Sequence, residues 1–110
     1  MIMTAAQLTS VLKTLADPTR RAMFERIARD GEVAATGLVR GTRVSQPAVS
    51  QHLRALREAG LVVERREGRH IRYRIAPEGL SPLIDWLGHY QAFWRERFDR
   101  LEAMLKESKE

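Results

Sequence analysis

The stretch that decides the fold is residues 45–56, which read SQPAVSQHLRAL. Ser45 is a good helix N-cap, and Pro47 fits the first turn, where its missing amide hydrogen would have had no partner. Apolar residues then recur at spacings of four and three, which predicts one buried stripe along a helix. These residues are Val49, Leu53 and Leu56. Gly60 is expected to end this helix.

Upstream of this segment the sequence predicts two clear helices. Thr4 begins a capping box with Gln7, and an apolar helical stripe continues to residue 15. Asp17 and Pro18 start a second helix, which Gly31 ends. Residues 34–42 are weakly patterned and contain two glycines, so they allow only a short third helix.

Downstream, residues 61–66 and 70–75 are predicted to be two strands joined at Glu67–Gly68–Arg69, which makes a hairpin with a basic tip. Ser81–Pro82 starts a last helix expected to run for about 25 residues, over 81–107. The order of elements predicts an α+β, mostly α, winged helix-turn-helix with a β-hairpin wing and a long C-terminal dimerisation helix. With 110 residues, we expect a single domain over 1–110.

Composition narrows the function. The chain has a formal charge of +5, and residues 40–74 hold nine arginines against three glutamates, which favours a polyanionic partner for this segment. Cysteine is absent, which excludes disulfides, thiolate metal or arsenic sites and thiol sensing. No nucleophile is spaced to pair with a base, so we expect no enzyme and no cofactor. Without a membrane span or leader segment, a cytoplasmic protein is expected, with no membrane partner.

A helical wheel of residues 46–57 separates the apolar stripe from one contiguous polar arc. Such an arc near a helix N-terminus can read base edges in the major groove of double-stranded DNA, or it can be an ordinary solvated face. Arg43 on one side and the hairpin on the other favour DNA. The predicted contacts on this side are Arg43, Ser45, Gln46, Pro47, Ser50, Gln51, Arg54 and Arg57. His52 falls beside the apolar face and is expected to be a hydrogen-bonded packing residue.

The hairpin supplies the second set of predicted DNA contacts. Its arginines either discourage edge-to-edge aggregation or bind phosphate and the minor groove, and arginine with glycine at a tip suits the second role better. Alternation along the strands sends neighbouring arginines to opposite faces, so some are expected to miss the DNA. The predicted contacts are Arg66, Arg69, His70 and Arg72.

The last helix carries five of the seven aromatic residues at a spacing close to a heptad seam. We expect it to form a homodimer interface together with the first helix, at about residues 4–15. The predicted interface residues are Leu8, Leu12, Leu83, Leu87, Tyr90, Trp94 and Leu101. Packing within the monomer, or a small-molecule pocket beside the aromatics for an unknown inducer, are the alternatives.

Asp85 and His89 lie four residues apart and are the only candidates for a metal pair in this helix. Two ligands are too few, although a dimer would offer four. The alternative is that Asp85 offsets the helix dipole and His89 lies at a surface or interface, so no metal site is expected within one chain.

Two other binding classes remain open at this stage. A basic winged-helix module could bind RNA, but that requires aromatic residues near the basic region, and Tyr73 is the only one there. The same fold could bind another protein, which would not need the excess of arginine.

Several motifs together resemble the ArsR family of bacterial winged-helix repressors. They are residues 15–21 (LADPTRR), 45–56 (SQPAVSQHLRAL), 59–62 (AGLV) and 68–70 (GRH). The resemblance implies a homodimer formed through the first and last helices and bound to an inverted-repeat operator. It also implies that Gln46, Pro47, Ser50 and Gln51 face the groove, and that Arg69 and its neighbours contact phosphate or the minor groove.

The sequence departs from the family pattern where a signal would bind. Many members sense metals through cysteines before the reading helix, and here residues 33–38 (VAATGL) contain none. Another family site uses Asp and His at the start of the last helix and a His near its end, where this chain has Asp99 and Glu102 but no His. The resemblance therefore points to the branch that does not sense metals.

Overall fold

A computed structural model describes residues 4–108. The ends of the predicted domain, residues 1–3 and 109–110, lie outside the described residues. Six helices and three strands occur in the described part of the chain. They are α1 (Ala5–Ala16), α2 (Pro18–Asp30), β1 (Glu32–Ala34), α3 (Ala35–Arg40), α4 (Gln46–Glu58), β2 (Val62–Glu67), β3 (His70–Ile75), α5 (Ser81–Gly88) and α6 (Gln91–Ser108).

The predicted starts of α1, α2 and α4 are confirmed, each with its capping hydrogen bond, and α5 starts at Ser81 as predicted but without a side-chain cap. In the capping box of α1, the Gln7 amide donates to Thr4 Oγ1 over 3.1 Å and the Thr4 amide donates to Gln7 Oε1 over 2.7 Å. The Arg20 amide donates to Asp17 Oδ1 over 2.9 Å at the start of α2. Ser45 caps α4 through a longer contact of 3.4 Å to the Ala48 amide.

The Asp17 cap makes the free energy of unfolding depend on pH in the acidic range. The hydrogen bond from the Arg20 amide holds the pKa of this carboxyl below 3.8. Because the folded pKa is lowered, its stabilisation is complete above 3.8 and is lost as the pH falls through the folded value. Asparagine caps without a charge. We therefore expect Asp17→Asn to flatten the decline in unfolding free energy below pH 3.8, measured by urea denaturation; an unchanged decline would contradict this role.

The sheet contains a strand that sequence analysis did not predict. β1 pairs with β3, and the strand order is β1-β3-β2, all antiparallel. Only three residues long, β1 has too few positions to show alternation, and it forms because Val33 lies opposite Tyr73 in the core. The short helix allowed over 34–42 is confirmed as α3.

The hairpin is confirmed, and its turn is tighter than expected. Glu67 pairs with His70, so only Gly68 and Arg69 lie between the strands. Gly68 has a φ of +62°, the left-handed region that glycine enters without strain, and a glycine at the first turn position suits a type II′ hairpin. Arg69 is thereby held at the tip of the wing.

One core lies between α1–α4 and the sheet. The second half of α5 and the whole of α6 add no residue to it. The apolar residues buried there are Val11, Met23, Phe24, Ile27, Val33, Leu38, Val49, Leu53, Leu56, Leu61, Val62 and Tyr73. At the start of α5, Pro82 is buried and Leu83 packs against this core. No helix of the described residues is long and apolar enough to cross a bilayer.

The prediction of one continuous helix over 81–107 is wrong. α5 ends at Gly88, and α6 starts at Gln91. Between them the His89 and Tyr90 amides donate to carbonyls three residues back, at Trp86 and Leu87, which is the tighter 3₁₀ pattern. The heptad spacing therefore continues across an interruption of the α-helical hydrogen bonding. Gly88 weakens the helix at this point because glycine loses more conformational entropy than alanine when it is fixed in a helix.

Gly88 gives a direct test of this account. Its φ is not positive, and a Cβ added there would meet nothing within 4 Å. Gly88→Ala should raise the free energy of unfolding by about 0.4–1 kcal/mol, because it removes freedom from the unfolded chain. Urea denaturation at one fixed protein concentration measures this change. A loss of stability would mean that the turn needs glycine.

Candidate nucleic-acid interface

Helix α4 divides into the two faces predicted from the wheel. Its stripe of Val49, Leu53 and Leu56 is buried. The opposite arc is exposed along its whole length. The exposed residues of α4 and its N-cap are Ser45, Gln46, Pro47, Ser50, Gln51, Arg54, Arg57 and Glu58. Arg43, in the turn before the helix, is exposed as well.

His52 is the predicted packing residue, and its contact holds α4 on α2. Arg20 Nε donates to His52 Nδ1 over 3.3 Å, and both residues are half-buried. The polar arc of α4 is therefore presented from a helix anchored on its inner side.

Strand register sorts the wing arginines onto two faces. Arg66 lies opposite Ile71 on the face that looks towards α4, because Ile71 and Tyr73 share a cleft with Val49 and Ser50 of that helix. Arg65 and Arg72 lie opposite each other on the outer face. His70 lies opposite Glu67 on that same outer face. Arg69 belongs to the turn and is exposed.

Four arginines of α4 and the wing form ion pairs with carboxylates. The ion pairs that α4 and the wing make within the described residues are Arg54–Glu58 (3.0 Å), Arg57–Glu64 (2.9 Å), Arg65–Glu32 (2.9 Å), Arg65–Glu67 (3.2 Å) and Arg72–Glu67 (3.3 Å). The bond to Glu32 raises the pKa of Arg65. Arg43, Arg66 and Arg69 have no ion pair among those residues. Arg40 and Arg74 are also exposed without an ion pair there, so among the predicted contacts the charge most available to a polyanion is that of Arg43, Arg66 and Arg69.

The Arg57–Glu64 pair connects α4 to the wing. Glu64 lies opposite Tyr73, whose hydroxyl is 3.4 Å from the same carboxylate oxygen. Burial, together with the nearby Glu64 charge, raises the pKa of Tyr73. Arg57 is one of the predicted DNA contacts, and here it also links the wing to α4. The sequence carries no signal for this link, because seven residues and a chain reversal separate the partners.

The predicted dimer residues fall into two environments. Leu83 is half-buried on the monomer core and Leu8 is half-buried on α1, whereas Leu12, Leu87, Tyr90, Trp94 and Leu101 are exposed. All 18 residues of α6 are exposed. From Ile84 to Leu105, ten large apolar side chains are 40–65% exposed. Packing of this surface within the monomer is therefore not what the structure shows.

Aromatic contacts order this apolar surface. Trp86 and Tyr90 meet edge to face at 5.4 Å across the break between α5 and α6, and Trp94 stacks on Phe98 at 6.0 Å. Arg97 covers the ring of Phe93. The exposed rings thus form a preorganised surface rather than isolated side chains.

Asp85 and His89 line one shallow cleft with Thr4 and Leu8. His89 belongs to the turn after α5, not to a continuing helix as predicted. The described residues contain no group of three or more His, Asp or Glu side chains placed to hold a metal. Whether this pair binds metal in a dimer stays a prediction.

The fold, with this exposed and arginine-flanked helix, defines a winged helix-turn-helix protein. A helix-turn-helix domain family matches residues 15–65. The arsenical resistance operon repressor of Escherichia coli is 37% identical over 99 residues, covering 87% of this chain and 80% of that protein. The chain belongs to the ArsR family of transcriptional regulators.

Other relatives agree with this assignment. The arsenic resistance transcriptional regulator ArsR1 of Pseudomonas putida is 47% identical over 68 residues, which cover 62% of this chain. The match covers 53% of that relative, so the chain spans about half its length. The structure of an ArsR-like transcriptional regulator from Rhodococcus sp. RHA1 superposes with a TM-score of 0.70 at 32% identity, covering 90% of this chain and 92% of that one.

Proposed function

We propose that two copies of this chain bind an inverted-repeat operator and repress transcription by occupying the promoter, with no chemistry performed. The observation that carries this proposal is the exposed polar arc of α4, held from behind by Arg20 and flanked by arginines that lack a carboxylate partner among the described residues. In this proposal, Gln46, Ser50 and Gln51 read base edges in the major groove, which suits their amide and hydroxyl groups. Promoter binding would place the protein in the cytoplasm.

Phosphate contacts are assigned by the availability of each guanidinium group. We propose Arg43, Arg66 and Arg69 as the main phosphate or minor-groove contacts. Arg54 and Arg57 are placed beside them, but each must release or share a carboxylate. Arg72 and His70 lie on the outer face of the wing, and we propose that Arg72 chiefly holds Glu67 there.

The second copy is the proposed partner of α6. A helix with every residue exposed is only marginally stable alone in water, so its apolar stripe needs a partner surface. A second copy supplies an identical stripe, and twofold symmetry places two reading helices about one duplex turn apart.

The residues of the chain exclude one chemical class of inducer and are compatible with others. The absence of cysteine excludes thiolate binding of arsenic or zinc, whatever the relatives' names say of those proteins. An inducer without thiol chemistry, or simple autoregulation, is consistent with the sequence.

Selection of bound duplexes from a random pool tests the proposal, repeated with chelator and with added zinc. A palindromic consensus that is unaffected by zinc is expected. If the dimer neutralises about eight to ten phosphates, log K should fall with log salt at a slope of roughly −7 to −9. A preference for RNA in competition, or weak salt dependence, would overturn the proposal in favour of an RNA- or protein-binding module.

Arg69→Ala should weaken binding to all duplexes similarly and make the salt slope less steep by about 2, because each copy loses one phosphate contact. Arg65→Ala is the matched control. It removes the same charge from the same strand pair, but from a side chain held by Glu32 and Glu67 on the outer face. Gel-shift titrations at several salt concentrations measure both variants. Equal slopes for the two variants would show that the wing tip is not a special contact.

A further inference from the structure

Arg26 lies on α2, outside the two helices of the helix-turn-helix, which are α3 and α4. Its side chain reaches the turn between them. Its Nη1 donates to the carbonyl oxygen of Gly37 over 3.0 Å, and its Nε lies 3.5 Å from Asp30 Oδ2. The Gly41 amide donates to the same Gly37 oxygen over 3.1 Å. One carbonyl at the end of α3 therefore receives both the last helical bond and the guanidinium.

Gly41 provides the space for this guanidinium. A Cβ on Gly41 would overlap Arg26 Nη1 and would lie 3.0 Å from Cζ of the same side chain. The backbone there does not need glycine, because φ is −85° and ψ is 0°, values that any residue adopts. The reason for glycine is steric. A side chain at 41 and the observed position of Arg26 exclude each other.

Gly37, four residues earlier, differs in this respect. A Cβ on Gly37 would lie 3.6 Å from Val33 Cγ1 and 3.9 Å from Arg26 Nη2, which are ordinary contacts. The two glycines therefore form a matched pair. Alanine at 41 displaces Arg26, and alanine at 37 leaves it in place.

We propose that Arg26 is a positioning residue that locks the end of α3 and the turn, and so sets where α4 enters the DNA groove; this rests on the function proposed above. Arg26 itself does not touch DNA in this proposal, because its Nη1 and Nε are directed at Gly37 and Asp30. Helix α2 then holds the helix-turn-helix twice, through Arg26 at the turn and through Arg20 at His52 on α4. Misplacement of the reading helix weakens base contacts without removing a phosphate contact.

A double-mutant cycle tests this link. Arg26→Ala and Gly41→Ala should each weaken binding to the selected duplex by roughly tenfold, the loss of about one base contact. The double variant should bind no worse than either single variant, because each change removes the same contact. The salt slope should stay at its wild-type value throughout. Gly37→Ala should bind within about twofold of wild type, and Arg26→Lys, which keeps a donor, should recover much of the affinity.

The outcomes separate the alternatives. Additive losses in the double variant, or unchanged binding in both single variants, would overturn the proposal. A salt slope less steep by about 2 in Arg26→Ala would overturn it as well, since that is the mark of a direct phosphate contact. Circular dichroism confirms that each variant is folded, and Gly41→Ala keeps the Arg26 charge if Arg26→Ala does not fold.

Hydrogen exchange of the backbone amide of residue 41 tests the link without DNA. Arg26→Ala, Gly41→Ala and the double variant should all speed this exchange to a similar extent, and Gly37→Ala should not. If wild-type protein binds no duplex, the proposed function fails. The exchange data then show separately whether Arg26 locks the turn.

Discussion

Trp94→Glu should convert the protein to a monomer and reduce operator affinity by at least about 100-fold, because binding through two linked half-sites is lost. Trp94 lies on one stripe of α6 with Phe98, Leu101 and Leu105, all within about 60° of each other on a wheel of 100° per residue. Each is at least half exposed in the single chain. A carboxylate in the middle of that stripe would be buried without a partner in the dimer.

The monomer itself should stay folded, because α6 contributes no buried residue to the core. Sedimentation at micromolar concentration measures the oligomeric state, and a gel shift measures the affinity. Ala103→Glu is the control, since it adds the same charge on the opposite side of α6, about 180° from Trp94 on the same wheel. If Trp94→Glu stays dimeric and binds DNA normally, α6 is not the interface.

Gln51→Ala should lower operator affinity by about 1–3 kcal/mol per half-site and remove selectivity at one base pair of each half-site. Gln51 is exposed one turn into α4, and its amide offers both a donor and an acceptor, which suits the edge of adenine. Binding to random duplex should not change, because no charge is lost. This result is the converse of that expected for Arg69→Ala.

Duplex selection with the Gln51→Ala protein provides the measurement. The consensus should keep its spacing and symmetry while one position in each half-site becomes degenerate. An unchanged consensus with affinity within about twofold of wild type would place Gln51 outside the groove.

The local elements could be predicted because their causes are local. The caps at Thr4, Asp17 and Ser45 each depend on residues within three positions, and the stripe of α4 depends on helical spacing. β1 was missed because its pairing with β3 joins residues about 40 positions apart. The break at Gly88 was missed because the apolar pattern continues through it, while one glycine and two 3₁₀ bonds interrupt the α-helix.

The candidate site also has one part that the sequence predicts and another that depends on contacts between distant elements. The polar arc of α4 and its flanking arginines are visible in the printed sequence. Which arginines remain available is not, because that depends on whether a carboxylate from another element reaches them, as Glu32 does to Arg65 and Glu64 does to Arg57. The role of Gly41 is hidden for the same reason, since the side chain that needs its space comes from α2.

The sequence by itself determined the winged helix-turn-helix and the exposed face of α4, because periodicity and capping act between near neighbours. The resemblance to the family rested on its motifs. Only the tertiary structure decided which charges are neutralised, which glycine makes room for Arg26 and that α6 is left without a partner. These depend on distances between elements remote in the chain, and no spacing along the sequence encodes such distances directly.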